Sequence, residues 1–340
     1  NSVNFLLYSG NGIRLFSSIM NANGLYSGLD GGAVNGVYNG INSGVGNGAV
    51  SNETNLLNIP ILLLNRFPNA GAAYSLRRLS VNYFGAAIRV RRSSDNVEQD
   101  IGFDINGNLN ETQLRLFVGV SDGFVSVWYD QSGNGRNATQ ATQANQPRIA
   151  LSGVIDRRSG DISLVFDGTN DFMSAANTFM GPISQTSYYC ISSRGNNVDQ
   201  LRTIVSTGIL DGTTSGWGLY YTINSAPTNT INNLVAQVRF QPLTNISSIG
   251  NIANTINTNT LNFNIITTTS NSIWLNGGNN VTENYSYTNN TWTRDVHIGQ
   301  NASNAHYLNG TVTEFVIWNT DQSSNRTGIE QNINNYYKIY

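Results

Sequence analysis

Charge is scarce in this chain. Only 11% of its 340 residues are Asp, Glu, Lys or Arg, and the formal net charge is −2. Globular domains usually carry about a quarter charged residues. The near-neutral balance removes any electrostatic case for a nucleic-acid partner or an anionic membrane. Lysine is almost missing, with Lys338 the single example. Cys190 is the single cysteine, so no intramolecular disulfide can form. It lies in SYYCISS and reads as a small buried residue. His297 and His306 are the only histidines and have no cysteine nearby, which makes a zinc site a poor fit. No apolar run approaches the roughly 18 residues of a membrane-spanning helix. The chain opens on Asn1, which leaves room for a removed leader.

Asparagine and glycine fill the gap. There are 52 Asn and 34 Gly. Seven glycines fall at strict four-residue spacing: Gly24, Gly28, Gly32, Gly36, Gly40, Gly44 and Gly48. A small or branched apolar residue follows each one, Val37 and Ile41 among them. Such a repeat has too little apolar bulk to offset the ordering entropy of its glycines. Short repeats need neighbours to bury their faces. A helix is disfavoured, since seven interior glycines cost about 7 kcal/mol against alanine. Extended or turn-rich backbone packed on other subunits is the reading adopted, with a flexible linker as the alternative. The assembly candidates are therefore the seven glycines with Val37 and Ile41.

The rest reads as one domain. Residues 1–58 form the glycine-rich attachment segment, within which Phe5–Tyr8 suits a strand and Ile13, Phe16 and Met20 suit a short helix. Residues 59–340 form the globular part. Asn69 can cap a helix through AGAAYSLRRLS. Ile88 and Val90 alternate with Arg89 and Arg91, as in a half-exposed strand. Asn110 can start a helix carrying Leu114, Phe117 and Val118. Then come many short β-branched and aromatic runs, from FVSVWYD to TVTEFVIWN, separated by Gly, Asn and Asp. A final helix, capped by Ser323 or Ser324, presents Ile329, Ile333, Tyr336 and Tyr337 inward. The pattern predicts an all-β sandwich of jelly-roll type with a few short helices.

Several residues could carry chemistry. Asp130 in WYDQSGNG is a candidate for catalysis or for glycan contact, and the simpler reading is a turn cap. Asp167 and Asp171 in FDGTNDF could ligate calcium, although a plain turn at Gly168 explains them as well. No other cofactor is implied. Arg89, Arg91 and Arg92 could hold an anion, or pair with Asp95, Glu98 and Asp100 close by. Trp217, Tyr220, Trp274 and Trp292 could stack on sugar rings.

Two stretches resemble known families. Residues from Ala73 to Met173 hold AYSLRRL, IRVRRSSDN, WYDQSGNGRNATQATQ and LVFDGTNDFM. They resemble the start of the catalytic domain of α-L-arabinofuranosidase B enzymes. The tail from Leu308 to Tyr340 is similar to the closing strand and helix of laminin-G-like, concanavalin A-type jelly rolls. The combination is similar to tail, fibre and capsid-associated proteins of bacteriophages and aquatic viruses. The enzyme resemblance implies a two-carboxylate mechanism, with a nucleophilic glutamate on a Trp-containing strand in mid-domain. The local counterpart, SGWGLYYTIN around Trp217, contains no Glu or Asp. The expectation is accordingly a non-enzymatic structural protein of a virion or extracellular filament, without arabinofuranosidase activity. It would self-associate, join other structural subunits and display a jelly roll toward cell-surface polysaccharide. The alternatives are a secreted arabinofuranosidase-like glycoside hydrolase and a bacterial glycan-binding adhesin.

Overall fold

A computed structural model describes residues 2–9, 12–19, 62–175, 187–195, 202–207, 216–222, 233–239, 246–253, 264–269, 272–278, 280–282, 295–301 and 306–340. The chain divides into two compact units, Asn1–Ile61 and Leu62–Tyr340. In the first unit, strand Ser2–Ser9 pairs antiparallel with Gly12–Ile19, placing Phe5 opposite Phe16. The helix expected from Ile13 to Met20 is thus replaced by a strand. Its Ile and Phe content suits a pleated surface, and the neighbouring run supplies ladder partners. The assembly candidates from Gly24 to Gly48, with Val37 and Ile41, lie outside the described residues.

The second unit is a two-layer β-sandwich, as the strand pattern predicted. Strand Asn309–Trp318 is the spine of the first layer. It pairs with Ala70–Ser75 on one side and Ser187–Arg194 on the other. Ser187–Arg194 then pairs with Asn264–Thr269, which leads to Ser272–Leu275 and Asn280–Thr282. The second layer runs Glu98–Ile101, Ile88–Arg92, Gly123–Trp128, Ala138–Thr139, Met173–Ala175, Val296–Ile298, Arg202–Thr207 and Gly216–Thr222. It ends on Asn233–Arg239 and Ile246–Ala253. Strand Arg148–Leu151 joins the layers at one margin. It pairs with Gly123–Trp128 in the second layer, and its Arg148 faces Val165 of Leu164–Asp167, which pairs with the spine.

Alternation of side chains decides what each face buries. Tyr74, Tyr188, Cys190, Phe315 and Ile317 point between the layers and meet Ile88, Val90, Trp128, Val205 and Ile298. Ala73, Tyr189, Ile191, Val316 and Trp318 point the other way. The first layer is therefore apolar on both faces and needs a second cover. The closing helix Arg326–Tyr337 supplies it with Ile329, Ile333 and Tyr337, joined by Leu63 and Leu64 of the short helix Leu63–Arg66. Each large side chain buried this way is worth about 1.5–3 kcal/mol.

Three local expectations change. AGAAYSLRRLS is not a helix. Ala70–Ser75 is a wholly buried strand, because it pairs with the spine and is covered on both faces, Ala72 and Tyr74 between the layers and Ala70 and Ala73 on the side of the closing helix. Ser323 and Ser324 do not cap the last helix. Asn325 precedes it without a side-chain cap bond, and Ser323 is held by Asp321 instead. Tyr336 is 36% exposed rather than inward. The helix Glu111–Val118 does start as expected, with the Asn110 side chain accepting from Gln113 N at 3.0 Å.

Candidate functional site

The most distinctive stretch of the sequence, WYDQSGNG, closes a sheet edge. Among the described residues, strand Ala70–Ser75 pairs only with the spine, which leaves a row of backbone groups open. Asp130 is 4% exposed. Its carboxylate accepts from Ala73 N, Ser132 N, Ser132 Oγ and Arg136 N, at 2.8–3.0 Å. Gln131 N donates to Ala73 O at 2.8 Å. The Gln131 side chain accepts from Leu79 N and donates to Ser75 O and Arg77 O. Asn134 Nδ2 reaches Ala70 O and Gly71 O, each at 3.0 Å. Gly133 and Gly135 sit at φ 89° and 71°, which lets the loop turn tightly enough to do this. These contacts place Asp130 as a clamp on backbone donors.

A groove of about 510 Å³ opens near the margin where the layers join. Its walls include Arg91, Asp122, Phe124, Arg148, Asp167 and Asp171. Asp167 and Asp171 belong to one turn after strand Leu164–Asp167. Asp167 Oδ1 accepts from Thr169 N and Asn170 N, and Asp171 Oδ2 accepts from Asp167 N at 2.9 Å. Burial, reinforced by the Asp167 charge, pushes the Asp171 carboxyl up to about 7. Asp122 comes from a different element, the turn before Gly123–Trp128, and accepts from Ser152 N at 2.6 Å. Arg148 is engaged by Asp156 through two bonds of 2.8 and 3.0 Å.

Arg91 behaves differently from its neighbours. Arg89 pairs with Asp100 and Arg92 with Asp95, as expected. Arg91 is only 7% exposed, and its hydrogen-bond partners are neutral: Gln146 Oε1 at 2.7 Å, Asn96 Oδ1 at 2.9 Å and Gln143 O at 3.3 Å. The guanidinium lies over the Phe124 ring at 4.9 Å. Alternation alone would leave Arg91 as exposed as Arg89. A register shift between Arg89 and Val90 lies just ahead of it, and Arg91 stands opposite Phe124. Nothing in the sequence marks that irregularity, so Arg91, Phe124 and Asp122 were not legible as a group.

Among the described residues, no group of three or more His, Cys, Asp or Glu is placed to hold a metal ion, Asp167 and Asp171 included. His297 is half-buried, and burial lowers its pKa. Its Nδ1 stands 3.2 Å from Gln300 Nε2. Trp217 and Tyr220 lie on strand Gly216–Thr222, in register with Thr207 and Thr203. Trp292 lies outside the described residues. Trp274 carries the Arg326 guanidinium over its ring at 4.8 Å. A second groove, of about 550 Å³, gathers Asp104, Glu111, Arg157, Asp161 and Tyr336. There Arg157 is engaged by Glu111, and burial raises the Asp161 pKa.

The second unit is thus a β-sandwich with an acid-bearing groove at one margin. A family model described as alpha-L-arabinofuranosidase B, catalytic, matches residues 65–198. The chain is similar to an arabinofuranosidase solved with arabinofuranosyl-α-1,2-xylobiose, at 15% identity over 78% of this chain and 62% of that one, with a TM-score of 0.55. It is also similar to a GH54 α-L-arabinofuranosidase soaked with a cyclic sulfate inhibitor, at 16% identity, the same coverage and a TM-score of 0.54. At these identities the likeness is one of fold, and the chain spans under two thirds of those structures. No curated protein matches the chain. These findings overturn the expectation of a non-enzymatic virion or filament protein. A catalytic-domain model covers the span that holds the groove, and the similar structures are glycoside hydrolases. The viral context drawn from the combination of the two resemblances has no counterpart among them.

Proposed function

We propose that the chain is an arabinofuranosidase-like glycoside hydrolase whose acid–base chemistry is carried by the groove. The observation that carries this reading is the catalytic-domain match over residues 65–198, a span that contains Asp122, Asp167 and Asp171. Glycosidic cleavage needs one carboxyl that keeps its proton and one carboxylate that has lost it. Asp171, with a pKa of about 7, is the proton donor. The ideal acid titrates near the working pH. Asp122, from the other element, is assigned as the second carboxyl of the pair. Asp167 holds the turn through its two backbone bonds and sustains the Asp171 proton by its charge. The strand around Trp217 has no carboxylate, so the pair is assigned to the groove.

The test is hydrolysis of 4-nitrophenyl α-L-arabinofuranoside and of arabinose-substituted xylo-oligosaccharides. The wild-type chain should turn over, and Asp171→Asn and Asp122→Asn should each lower kcat by about 100-fold or more. The stereochemistry of the released sugar then reports the pair's spacing, about 5–5.5 Å for retention and 6.5–9.5 Å for inversion. Absence of turnover by the wild-type chain on every furanoside tried overturns the reading. Turnover untouched by Asp171→Asn moves the acid elsewhere.

A further inference from the structure

We propose that the groove takes an acidic sugar, a uronate whose carboxylate is gripped by Arg91 while its ring lies toward the Asp171 end. This deepens the hydrolase reading and rests on it for the choice of a saccharide ligand. The argument starts from an open valence. A guanidinium carries five N–H donors in a planar fork. Among the described residues three hydrogen bonds engage Arg91, all to neutral oxygens. They fix the head and leave one N–H on each terminal nitrogen. Among the described residues no carboxylate oxygen comes within ion-pair distance of Arg91. Glu98, its partner across the ladder, acts on it only through longer-range charge.

A cation nine-tenths out of solvent and without a counter-ion is costly. Burial does lower the Arg91 pKa. The charge remains, because arginine is not deprotonated in proteins. A carboxylate offers the matching bidentate geometry. Phe124, beneath the guanidinium, orients the fork and adds an apolar surface for a sugar ring.

The other charges of the groove are already committed. Arg148 is held by Asp156, and so does not compete for the ligand. Asp122 and Asp167 each accept from backbone N–H groups. Asp171 is protonated through much of the range below neutrality. An anionic group is therefore favoured at the Arg91 end, with neutral hydroxyls toward the aspartates. The second groove lacks this arrangement, since its Arg157 already has Glu111.

The experiment measures binding without hydrolysis, so it is independent of turnover. Methyl glucuronide, methyl glucoside and inorganic phosphate are titrated onto the full chain by calorimetry. The uronide should bind at least tenfold tighter than the glucoside, and Arg91→Gln should abolish that preference. Arg91→Lys should recover only part of it, because a point charge replaces a fork. Equal affinity for uronide and glucoside overturns the proposal, as does a preference that survives Arg91→Gln. Phosphate binding as tight as the uronide overturns the sugar half of it. Should Arg91→Gln not fold, the Arg91 Nε–H resonance of the wild-type chain decides. It should shift with uronide and not with glucoside, and an unmoved resonance overturns the assignment.

Discussion

Arg77 and Arg91 are both nearly out of solvent, at 5% and 7% exposure, yet they end in opposite electrostatic states. Arg77 lies under the closing helix. Its fork meets Glu314 through bonds of 2.7 and 3.0 Å, and Ser75 Oγ and Tyr337 Oη also donate to that carboxylate. Burial alone would lower the Arg77 pKa, but the Glu314 charge and hydrogen bond outweigh it and hold it above the usual value. Arg91 has burial without the counter-charge, and moves down. The carboxylates show the same contrast. Asp130 accepts four bonds, whereas Asp171 accepts one among the described residues. Closed networks hold the fold, and open valences gather in the groove.

The largest expected effect comes from opening the closed network. Arg77→Met leaves Glu314 buried and unpaired, which should cost about 3–5 kcal/mol. A urea melt measures it. The double change Arg77→Met with Glu314→Leu should recover most of the loss, since replacing a whole buried pair is often neutral. A single-variant loss below about 1 kcal/mol would place this pair with ordinary surface bridges and erase the contrast.

Asp130→Ala comes next. It strips Ala73 N of its side-chain partner at a wholly buried strand and frees the loop that seals the edge. The expected loss is about 2–3 kcal/mol, again by urea melt. If the variant also loses hydrolysis while keeping its stability, Asp130 belongs with the open groups and the clamp assignment fails.

How much of this could be read beforehand depends on whether the cause was local. The strands and the Asn110 cap were legible, because alternation and a capping bond act within a few residues. The sandwich followed from their number and punctuation. Ala70–Ser75 was misread as a helix, because its fate is set by Trp318 and Ile333, hundreds of residues downstream. The WYDQSGNG turn was legible as a turn, but its role in sealing an edge was not. Among the groove residues Asp167 and Asp171 stood out by their turn motif. Arg91 did not, since its burial depends on the neighbours Phe124 and Gln146. Function was misjudged by giving weight to one missing carboxylate near Trp217. A catalytic pair is defined in space, and a single strand cannot show its absence.

Asp171 gives a pH test of the comparison. Its folded pKa, about 7, lies above the ordinary carboxyl value of 3.8. The folded state therefore binds the proton more tightly than the unfolded one. This contribution to stability is fully present below about pH 4 and is lost as the pH rises through 7. Between pH 4 and 8 the wild-type chain should lose on the order of 2 kcal/mol from this group, allowing for screening at a groove wall. Asp171→Asn should flatten that part of the profile. Melting temperatures across the range measure it. A wild-type profile that does not fall between pH 5 and 8 would mean that Asp171 is solvated and ionised.

The smallest expected effect is the sharpest for the argument. Arg91→Gln removes a buried cation that has no ion-pair partner among the described residues, so no carboxylate is left stranded. Gln146 Oε1 and Asn96 Oδ1 lose a donor, but Gln146 lines the open groove and Asn96 is exposed, so water can replace it. Loss of hydrogen bonds that water can substitute costs little, here about 1 kcal/mol. The Phe124 stacking adds a similar small amount, of about 0.5–1 kcal/mol at a partly wet site. The total stays well below the Arg77→Met loss, although the two arginines are almost equally buried. A loss as large as that of Arg77→Met would mean that Arg91 closes a structural network too. The groove would then hold no open cation, and the acidic-sugar site would lose its foundation.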